Sequence, residues 1–255
     1  METFDAFAAS HVGRRRNNED AYCIIPELGL FAVADGMGGY HGGEIASHLA
    51  LWTIREFFQH NAGDAELTWP YPMDKKKSFL ENMVDISVRM AHTSIKQRRE
   101  GQFKEMGTTL AMLAVSKHPR KLGYSAIIAH VGDSRIYRLR NGSLQQLTRD
   151  HSLYEQLKAE GANLPSEKDF VFGNVITQAL GVNLSVKTDL SLQHLQRGDR
   201  FLLCTDGLTG PLSDTQLGQA LVQHTDSQEA CKRLVQQAFD EGGKDNITAV
   251  VLDIP

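Results

Sequence analysis

Six acidic residues share a sequence setting that could support metal chemistry. Each flanks an apolar, strand-like run, and five of them sit beside glycine or asparagine; the six are Glu19, Asp20, Asp35, Asp133, Asp206 and Asp245. Carboxylates without a histidine or cysteine spacing motif are ligands of the kind that bind Mg²⁺ or Mn²⁺ with several waters retained. Two ions sharing a carboxylate would relieve repulsion in such a cluster and lower the pKa of a bridging water. The pattern therefore predicts hydrolysis of a phosphate ester.

The stretch from Phe31 to Gly43 is the most informative part of this pattern. An apolar run of strand type ends at Asp35, and five glycines occupy the next eight positions. Glycine lets the backbone adopt positive φ angles and bring its carbonyl groups close to whatever the carboxylate holds. A tight turn with a capping aspartate is the ordinary alternative for an isolated Asp-Gly pair. The other acids favour a metal or phosphate site.

Composition sets limits on the remaining possibilities. The chain has 255 residues, of which 41% are hydrophobic and 23% charged, which predicts one sizeable core. A net charge of -4 argues against nucleic-acid binding, although the short basic cluster Arg14-Arg15-Arg16 suits a local anion site. The three cysteines are widely spaced, which predicts buried free thiols in a reducing compartment. No apolar run approaches the roughly 18 residues of a membrane span, so we expect a cytoplasmic protein that does not contact membranes.

Hydrophobic periodicity predicts strands that place the first acids together. Strands are expected at 4–10, as an edge strand, and at 21–25 and 28–34, joined by a tight turn. Glu19, Asp20 and Asp35 would then meet at one edge of a sheet. Helical spacing predicts two long helices at 44–58 and 79–95, with a surface connection over residues 61–77.

The second half of the chain predicts a meander followed by mixed structure. Four antiparallel strands are expected at 108–115, 124–130, 134–139 and 144–147, with Asn141-Gly142 as the last hairpin turn and Asp133 interrupting the ladder. Residues 151–181 read as an excursion over the sheet edge, with a short helix at 153–160. Further strands are predicted at 186–192, 200–204 and 247–252, and helices at 213–224 and 227–239, each capped by its first serine.

Eight short motifs together indicate a family. They are Gly13-Arg-Arg…Asn18-Glu-Asp20, Ala34-Asp-Gly-Met-Gly-Gly39, Gly107-Thr-Thr109, Val131-Gly-Asp-Ser-Arg135, Leu147-Thr-Arg-Asp-His-Ser152, Asn174-Val-Ile-Thr-Gln-Ala-Leu-Gly181, Thr205-Asp-Gly-Leu208 and Asp245-Asn-Ile-Thr248. In this order, and over nearly the whole chain, the set resembles the metal-dependent protein Ser/Thr phosphatases of the protein phosphatase 2C type, in their bacterial form. Each motif alone is weakly specific, and the combination is strong.

The resemblance implies a fold and an activity. The fold is α+β, a four-layer α-β-β-α sandwich of two antiparallel sheets with a helix pair outside each, here as one catalytic domain over residues 1–255. The activity is hydrolysis of phosphoserine and phosphothreonine by a water that two Mg²⁺ or Mn²⁺ ions activate, without a covalent phosphoenzyme. The implied partners are phosphorylated proteins and an opposing Ser/Thr protein kinase, and we expect a monomer.

Roles for the acids follow from the same resemblance. Asp35 corresponds to the carboxylate that bridges the two metals, and the Gly36 carbonyl to a further ligand. Glu19 corresponds to a ligand of one ion, and Asp206 and Asp245 to ligands of the other.

Two more acids have roles that the resemblance implies. Asp20 corresponds to the family acid that holds metal-coordinated water without binding metal directly. Asp133, together with Asp206, corresponds to the residues that hold a third and weaker ion. A salt bridge from Asp133 to Arg135, or a turn that ends a strand, is the structural alternative for Asp133.

The basic cluster would bind the phosphate. The family uses an arginine four residues before the motif glutamate, which is Arg15, and a guanidinium can bind a phosphate dianion through two hydrogen bonds. The spacing after Gly13 is one residue shorter than in many bacterial members, so Arg14 and Arg16 stay open. Where many eukaryotic members carry a histidine general acid this chain has Met37, so water or another group must protonate the leaving alkoxide.

Several features are left open. Gly173 occupies a position in the excursion where many relatives have arginine, which puts substrate contacts there in doubt. His11, His41 and His151 lie near the motifs without ligand spacing to one another, so polar packing or surface exposure is expected for them. Two other functions remain as alternatives: a phosphatase-like regulatory module without catalysis, and a phosphatase of small phosphate esters.

Overall fold

The structure is a computed structural model that describes residues 4–39, 41–61, 69–117 and 123–255. Within these ranges the strands are β1 Asp5–His11, β2 Asp20–Ile25, β3 Leu30–Met37, β4 Gly107–Thr108, β5 Leu110–Lys117, β6 Tyr124–Val131, β7 Arg135–Arg140, β8 Ser143–Gln146, β9 Asp189–Leu195, β10 Arg200–Cys204 and β11 Ile247–Asp253. The α-helices are α1 Gly42–Asn61, α2 Phe79–Gln97, α3 Leu153–Ala159, α4 Asp206–Thr209, α5 Asp214–Gln223 and α6 Ser227–Asp240.

Two antiparallel sheets form the centre of the molecule. Sheet I has the strand order β1-β11-β10-β7-β8. Sheet II has the order β2-β3-β5-β6-β9, and the short strand β4 also pairs with β3. The predicted edge position of β1 is confirmed. The last strand in the sequence, β11, is an inner strand of sheet I, between β1 and β10.

Three layers of buried apolar side chains hold the elements together. One lies between sheet II and the helices α1 and α2, and a second between sheet I and the helices α5 and α6. The third lies between the two sheets and includes Phe31, Phe201 and Val250, all fully buried. Each such side chain contributes roughly 1.5–3 kcal/mol relative to an exposed position. The four-layer α-β-β-α sandwich is therefore confirmed.

The prediction of one continuous meander is wrong. Strands β5 and β6 pair within sheet II, whereas β7 and β8 pair within sheet I. The chain passes from one sheet to the other between Val131 and Arg135, and Gly132 has a φ of +104°, which favours glycine. Alternating hydrophobicity identifies strands but does not specify their partners, which is why the sequence missed this crossing.

Smaller differences concern turns and caps. The hairpin at Asn141-Gly142 is confirmed, with positive φ at both residues as a type I′ turn requires. Ser213 caps α5 through a capping box. The expectation that Ser227 caps α6 is wrong, because Asp226 is the N-cap and its carboxylate accepts a hydrogen bond from the Glu229 amide at 2.7 Å.

Other boundaries shift by a few residues. Strand β9 begins at Asp189 rather than at 186, and α4 was not predicted at all. Part of the predicted surface connection over residues 61–77, namely residues 62–68, lies outside the described residues.

Candidate metal centre

The antiparallel register of β2 and β3 brings the first acids together. Asp20 lies directly opposite Asp35, and the Gly36 amide donates to the Glu19 carbonyl at 3.1 Å. A Cβ atom on Gly36 would lie 2.1 Å from the Gly43 carbonyl oxygen and 2.6 Å from that of Glu19. Only glycine therefore allows these three backbone segments to approach so closely. The predicted meeting of Glu19, Asp20 and Asp35 is confirmed.

Two threonines fix the backbone of Asp35. Its amide donates to Thr109 Oγ1 at 2.9 Å, and its carbonyl accepts the amide of Thr109 at 2.9 Å. The same carbonyl accepts the hydroxyl of Thr108 at 2.8 Å. Thr109 Oγ1 also lies 2.6 Å from Ser134 Oγ, next to Asp133. The segment that carries Asp35 is thus connected to the crossing between the sheets.

The remaining acids come from sheet I and meet the first group at the same end of the sandwich. Asp206 begins α4, with only Thr205 between it and the end of β10, and Asp245 precedes β11. Thr205 Oγ1 donates to Asp20 Oδ2 at 2.9 Å, across the two sheets. Asn246 Oδ1 accepts the Glu19 amide at 2.8 Å.

Sequence reasoning assigned no role to the groups that assemble this centre. Thr109, Thr205 and Asn246 all occur in the quoted motifs, and each makes a hydrogen bond to the backbone or side chain of an acid or its neighbour. Asn246 also donates through Nδ2 to two backbone carbonyls of the loop before β2, at 2.8 and 2.9 Å. The available signal was that Thr205 and Asn246 are adjacent in sequence to Asp206 and Asp245, whereas Thr109 has no adjacent acid.

Burial and mutual repulsion raise the pKa values of these carboxyl groups. Burial raises the pKa of Asp35 well above its usual range, and the carboxylates of Asp20, Asp206 and Asp133 raise it further. Burial, followed by the negative charges of Asp206 and Asp245, raises the pKa of Asp20 to about 7, against hydrogen bonds from two threonines. Full ionisation of these carboxyl groups is therefore unfavourable unless a cation is bound.

The other acids show the same tendency. Burial and the carboxylate of Asp206 raise the pKa of Asp133 to about 7. Burial also raises the pKa values of Glu19 and Asp206, and the Arg15 guanidinium lowers both in part.

The donor set fits hard divalent cations. Oδ1 of Asp20 and Oδ1 of Asp206 are both buried and make no hydrogen bond within the described part of the chain. A buried carboxylate oxygen without a partner is costly, so each calls for a positive group. The centre offers only oxygen ligands, which suit Mg²⁺ or Mn²⁺.

Arg15 lies at this centre, whereas Arg14 points elsewhere. Arg15 Nη2 donates to Asp245 Oδ2 at 2.7 Å, and its side chain is 57% exposed, so the guanidinium is accessible to a ligand. Arg14 Nε donates to the Gly242 carbonyl, and its guanidinium packs 5.7 Å from the centre of the Phe239 ring. Arg16 is exposed. The placement favours Arg15 as the anion-binding residue.

The salt bridge from Asp133 to Arg135, which the sequence left open, is not the one that forms. Arg135 uses Nε and Nη2 to bind Asp150, with 2.6 Å between Nη2 and Oδ2, and Nη2 also donates to Glu167 at 3.1 Å. Arg135 lowers the pKa of Asp133 only as a lesser cause.

The three histidines near the motifs make polar contacts, as expected. His11 Nδ1 accepts the Gly13 amide at 2.9 Å. His41 is exposed, with Nδ1 3.0 Å from Asn17 Nδ2 and 3.3 Å from Glu44 Oε2. His151 is buried and contacts the turn that carries Asp133.

Comparisons with known proteins agree with this geometry. A protein-family profile described as Protein phosphatase 2C matches residues 8–251. The serine/threonine protein phosphatase PstP of Mycobacterium tuberculosis is 34% identical over 243 residues, which cover 94% of this chain and 43% of PstP. This chain thus spans less than half the length of that relative. The protein phosphatase PhpP of Streptococcus pneumoniae is 29% identical over 248 residues, covering 95% of this chain and 94% of PhpP.

A solved structure of the PstP catalytic domain in complex with two manganese ions superposes on the chain with a TM-score of 0.81. The identity is 33%, and 98% of each chain is covered. In the described residues, no helix has both the length and the apolar composition needed to cross a bilayer.

Proposed function

The chain belongs to the protein phosphatase 2C family of serine/threonine protein phosphatases, and on this premise we propose that it hydrolyses phosphoserine and phosphothreonine with two Mn²⁺ or Mg²⁺ ions bound at the acidic centre. Residues 1–255 act as one catalytic unit with a flap-like excursion at 151–181. The observation that carries the proposal is the convergence of acids from both sheets, with buried oxygens of Asp20 and Asp206 lacking a partner.

Different sets of acids would bind the two ions. Asp35 would hold both ions, Glu19 and the Gly36 carbonyl would complete one site, and Asp206 and Asp245 would complete the other. When bound, the ions lower the pKa of water and offset negative charge on the phosphoryl group. Asp20 lies directly opposite Asp35 and orients water by hydrogen bonding. Asp133 and Asp206 would hold a third, weaker ion.

Arg15 binds and orients the substrate phosphate. Its exposed guanidinium next to Asp245 can donate two hydrogen bonds to phosphoryl oxygens and stabilise the charge that develops on them. Water attacks phosphorus in line with the leaving oxygen and gives up a proton to solvent. The bond from phosphorus to the serine or threonine oxygen breaks, and the departing oxygen takes a proton from solvent.

The surroundings of the enzyme form a further part of the proposal. The substrates are proteins phosphorylated by an opposing Ser/Thr kinase, and the enzyme acts as a monomer in the cytoplasm. Free thiols at all three cysteines support a reducing compartment. The net charge of -4 supports a partner other than nucleic acid.

Phosphopeptide hydrolysis by the purified chain tests the proposal. We expect turnover with Mn²⁺ or Mg²⁺ and none after chelation, with Asp35→Asn as the inactive control. Retained activity in chelator would contradict the mechanism, and inactivity with every metal would indicate a regulatory module. Faster hydrolysis of a nucleotide or sugar phosphate than of a phosphopeptide would indicate a phosphatase of small esters.

A further inference from the structure

His151 connects three parts of the chain beside Asp133. Its ring Nδ1 accepts the Gly132 amide at 3.1 Å, and its own amide donates to the Gly132 carbonyl at 2.7 Å. Its carbonyl accepts the amide of Thr177 at 2.6 Å, where the excursion returns. Its ring Nε2 lies 3.1 Å from Asp189 Oδ2, at the start of β9. The turn, the excursion and sheet II therefore meet at one side chain.

These contacts specify the proton position on the neutral ring. A backbone amide can only donate, so Nδ1 of His151 must present a lone pair to Gly132. The ring proton then resides on Nε2 and is donated to the carboxylate of Asp189. The imidazole is thus hydrogen-bonded to Gly132 on one side and to Asp189 on the other. Loss of either hydrogen bond would disturb the other.

A metal site is the competing explanation for this cluster. Within the described residues, His130, His151 and Asp189 are the one group of three ligand-type side chains whose ligand atoms lie within 4.8 Å of one another. Two nitrogens and a carboxylate oxygen would suit Zn²⁺. Binding would require a lone pair on Nε2 of His151, which the Gly132 amide excludes by occupying Nδ1.

His130 contributes packing rather than a hydrogen bond. It is 1% exposed, and neither ring nitrogen has a hydrogen-bond partner in the described residues. Its ring centre lies 4.8 Å from that of His151. Burial, and then the adjacent His151, lower the pKa of His130 to about 3, so the ring stays neutral. It therefore supports the ring of His151 from one face as an uncharged surface.

We propose that His151, oriented by Asp189, is a positioning residue that holds the Gly132-Asp133 turn and couples it to the excursion. The inference rests on the proposed function, in which Asp133 helps to hold the weaker third ion. The ion pairs of Arg135 with Asp150 and Glu167 tie the other side of the same turn to residues 150–167.

Nitrogen NMR of the metal-free protein tests the proton position directly. We expect the His151 ring to show a protonated Nε2 and an unprotonated Nδ1. A mixed tautomer, or a protonated Nδ1, would overturn the proposal. Adding Zn²⁺ is the second arm: shifts of both the His130 and His151 ring signals would show that the cluster binds metal and would also overturn it.

Substitutions at Asp189 test the coupling, and they are suitable because this side chain is 53% exposed. Asp189→Leu removes the acceptor, whereas Asp189→Asn retains an oxygen that can accept from Nε2. With the Leu variant we expect the Gly132 amide to exchange about tenfold faster, since a lost hydrogen bond lowers local protection by that order. The Asn variant should stay near the parent value, and an unchanged Leu variant would overturn the proposal.

A functional arm separates this inference from the phosphatase assignment. Asp189→Leu should need a severalfold higher Mn²⁺ concentration for half-maximal phosphopeptide turnover, while calorimetry should still find both tight metal sites. His151→Asn, whose side-chain oxygen can replace Nδ1 as acceptor, should protect the Gly132 amide better than His151→Leu. Because tautomer and exchange are measured without metal or substrate, they decide the positioning role even if the chain hydrolyses no phosphopeptide.

Discussion

The guanidinium of Arg135 forms an ion pair with Asp150 through two nitrogens, rather than with Asp133, its neighbour two residues away. Asp133 is left with a pKa raised to about 7 by burial and by the carboxylate of Asp206. The carboxylate of Asp133 therefore lacks a compensating positive charge, which a weakly bound divalent ion would supply.

Asp133→Ala should keep both tight metal sites and lose most turnover. The change removes the proposed ligand of the third ion, while the Gly132 carbonyl still accepts the His151 amide and the Ser134 hydroxyl still contacts Thr109 Oγ1. Mn²⁺ calorimetry combined with phosphopeptide kinetics measures both effects, and Asp169→Ala, at an exposed acid of the excursion, is the control. Unchanged turnover at saturating metal, or a lower melting temperature alone, would make Asp133 a structural residue.

Asp35→Asn should abolish turnover, by on the order of a hundredfold or more, and weaken Mn²⁺ binding while the fold persists. The amide has nearly the same volume but lacks the charge that bridges two ions. Without metal, the variant should melt at a higher temperature than the parent at neutral pH, because a buried carboxylate among other carboxylates is removed. Calorimetric titration is decisive: two ions bound with parental affinity would reduce Asp35 to a turn residue.

Arg15→Ala should raise KM for a phosphopeptide by about 10- to 100-fold, since a hydrogen bond between charged groups contributes roughly 1.5–3 kcal/mol. Metal affinity should change much less, because the guanidinium is assigned to phosphate. Parallel Arg14→Ala and Arg16→Ala kinetics are the matched controls. If Arg16→Ala carried the effect instead, the assignment of the phosphate ligand would move by one residue.

Thr109→Val should lower kcat about tenfold by removing one hydrogen bond that positions Asp35. Valine keeps the shape of the side chain but cannot accept the Asp35 amide or contact Ser134 Oγ. Thr53→Val is a suitable control, because Thr53 is also buried and its hydroxyl donates to the Leu49 carbonyl within α1. Equal effects of the two substitutions on kcat would argue against a positioning role for Thr109.

The chelated protein should lose stability as pH rises. The carboxyl groups of Asp20 and Asp133 have folded-state pKa values raised to about 7, above the unfolded value near 4. Such groups contribute stability that is fully present below the unfolded pKa and is lost as pH rises through about 7. Melting curves in chelator should therefore shift downward between about pH 5 and pH 8.

Metal should reverse this trend. Mn²⁺ should stabilise the protein more at the higher pH, where protons no longer compete, and by about 2.7 kcal/mol when the free ion exceeds its Kd a hundredfold. A chelated protein whose melting temperature is flat or rises over this range would contradict the assigned pKa directions.

The sequence predicted the part of the centre that depends on local order. An apolar run ending in an acid locates a strand end, and two such runs joined by a short turn must pair, so Asp20 and Asp35 could be placed opposite each other. The sheet crossing at Gly132 could not be predicted in this way, because partner choice depends on long-range packing. Helix α4 has four residues, too few for a periodic signal.

The sequence also did not predict which side chains pair with one another. Which arginine of Arg14, Arg15 and Arg16 faces the acids depends on the path of a turn, and Arg14 is directed away by Gly242 and Phe239. The cap of α6 is Asp226 rather than the adjacent Ser227. The sequence did not predict this, because both residue types cap helices and helix ends cannot be placed to within one residue from composition.

The inner position of β11 also constrains the order in which the protein can fold during synthesis. A ribosome must deliver residues 245–253 before β1 and β10 can acquire the strand that lies between them, and the same segment supplies Asp245 to the centre. Nascent chains that end short of this point lack both an inner strand of sheet I and one acid of the proposed second ion site. Strand β11 must therefore be in place before sheet I is continuous and before Asp245 can join the other acids.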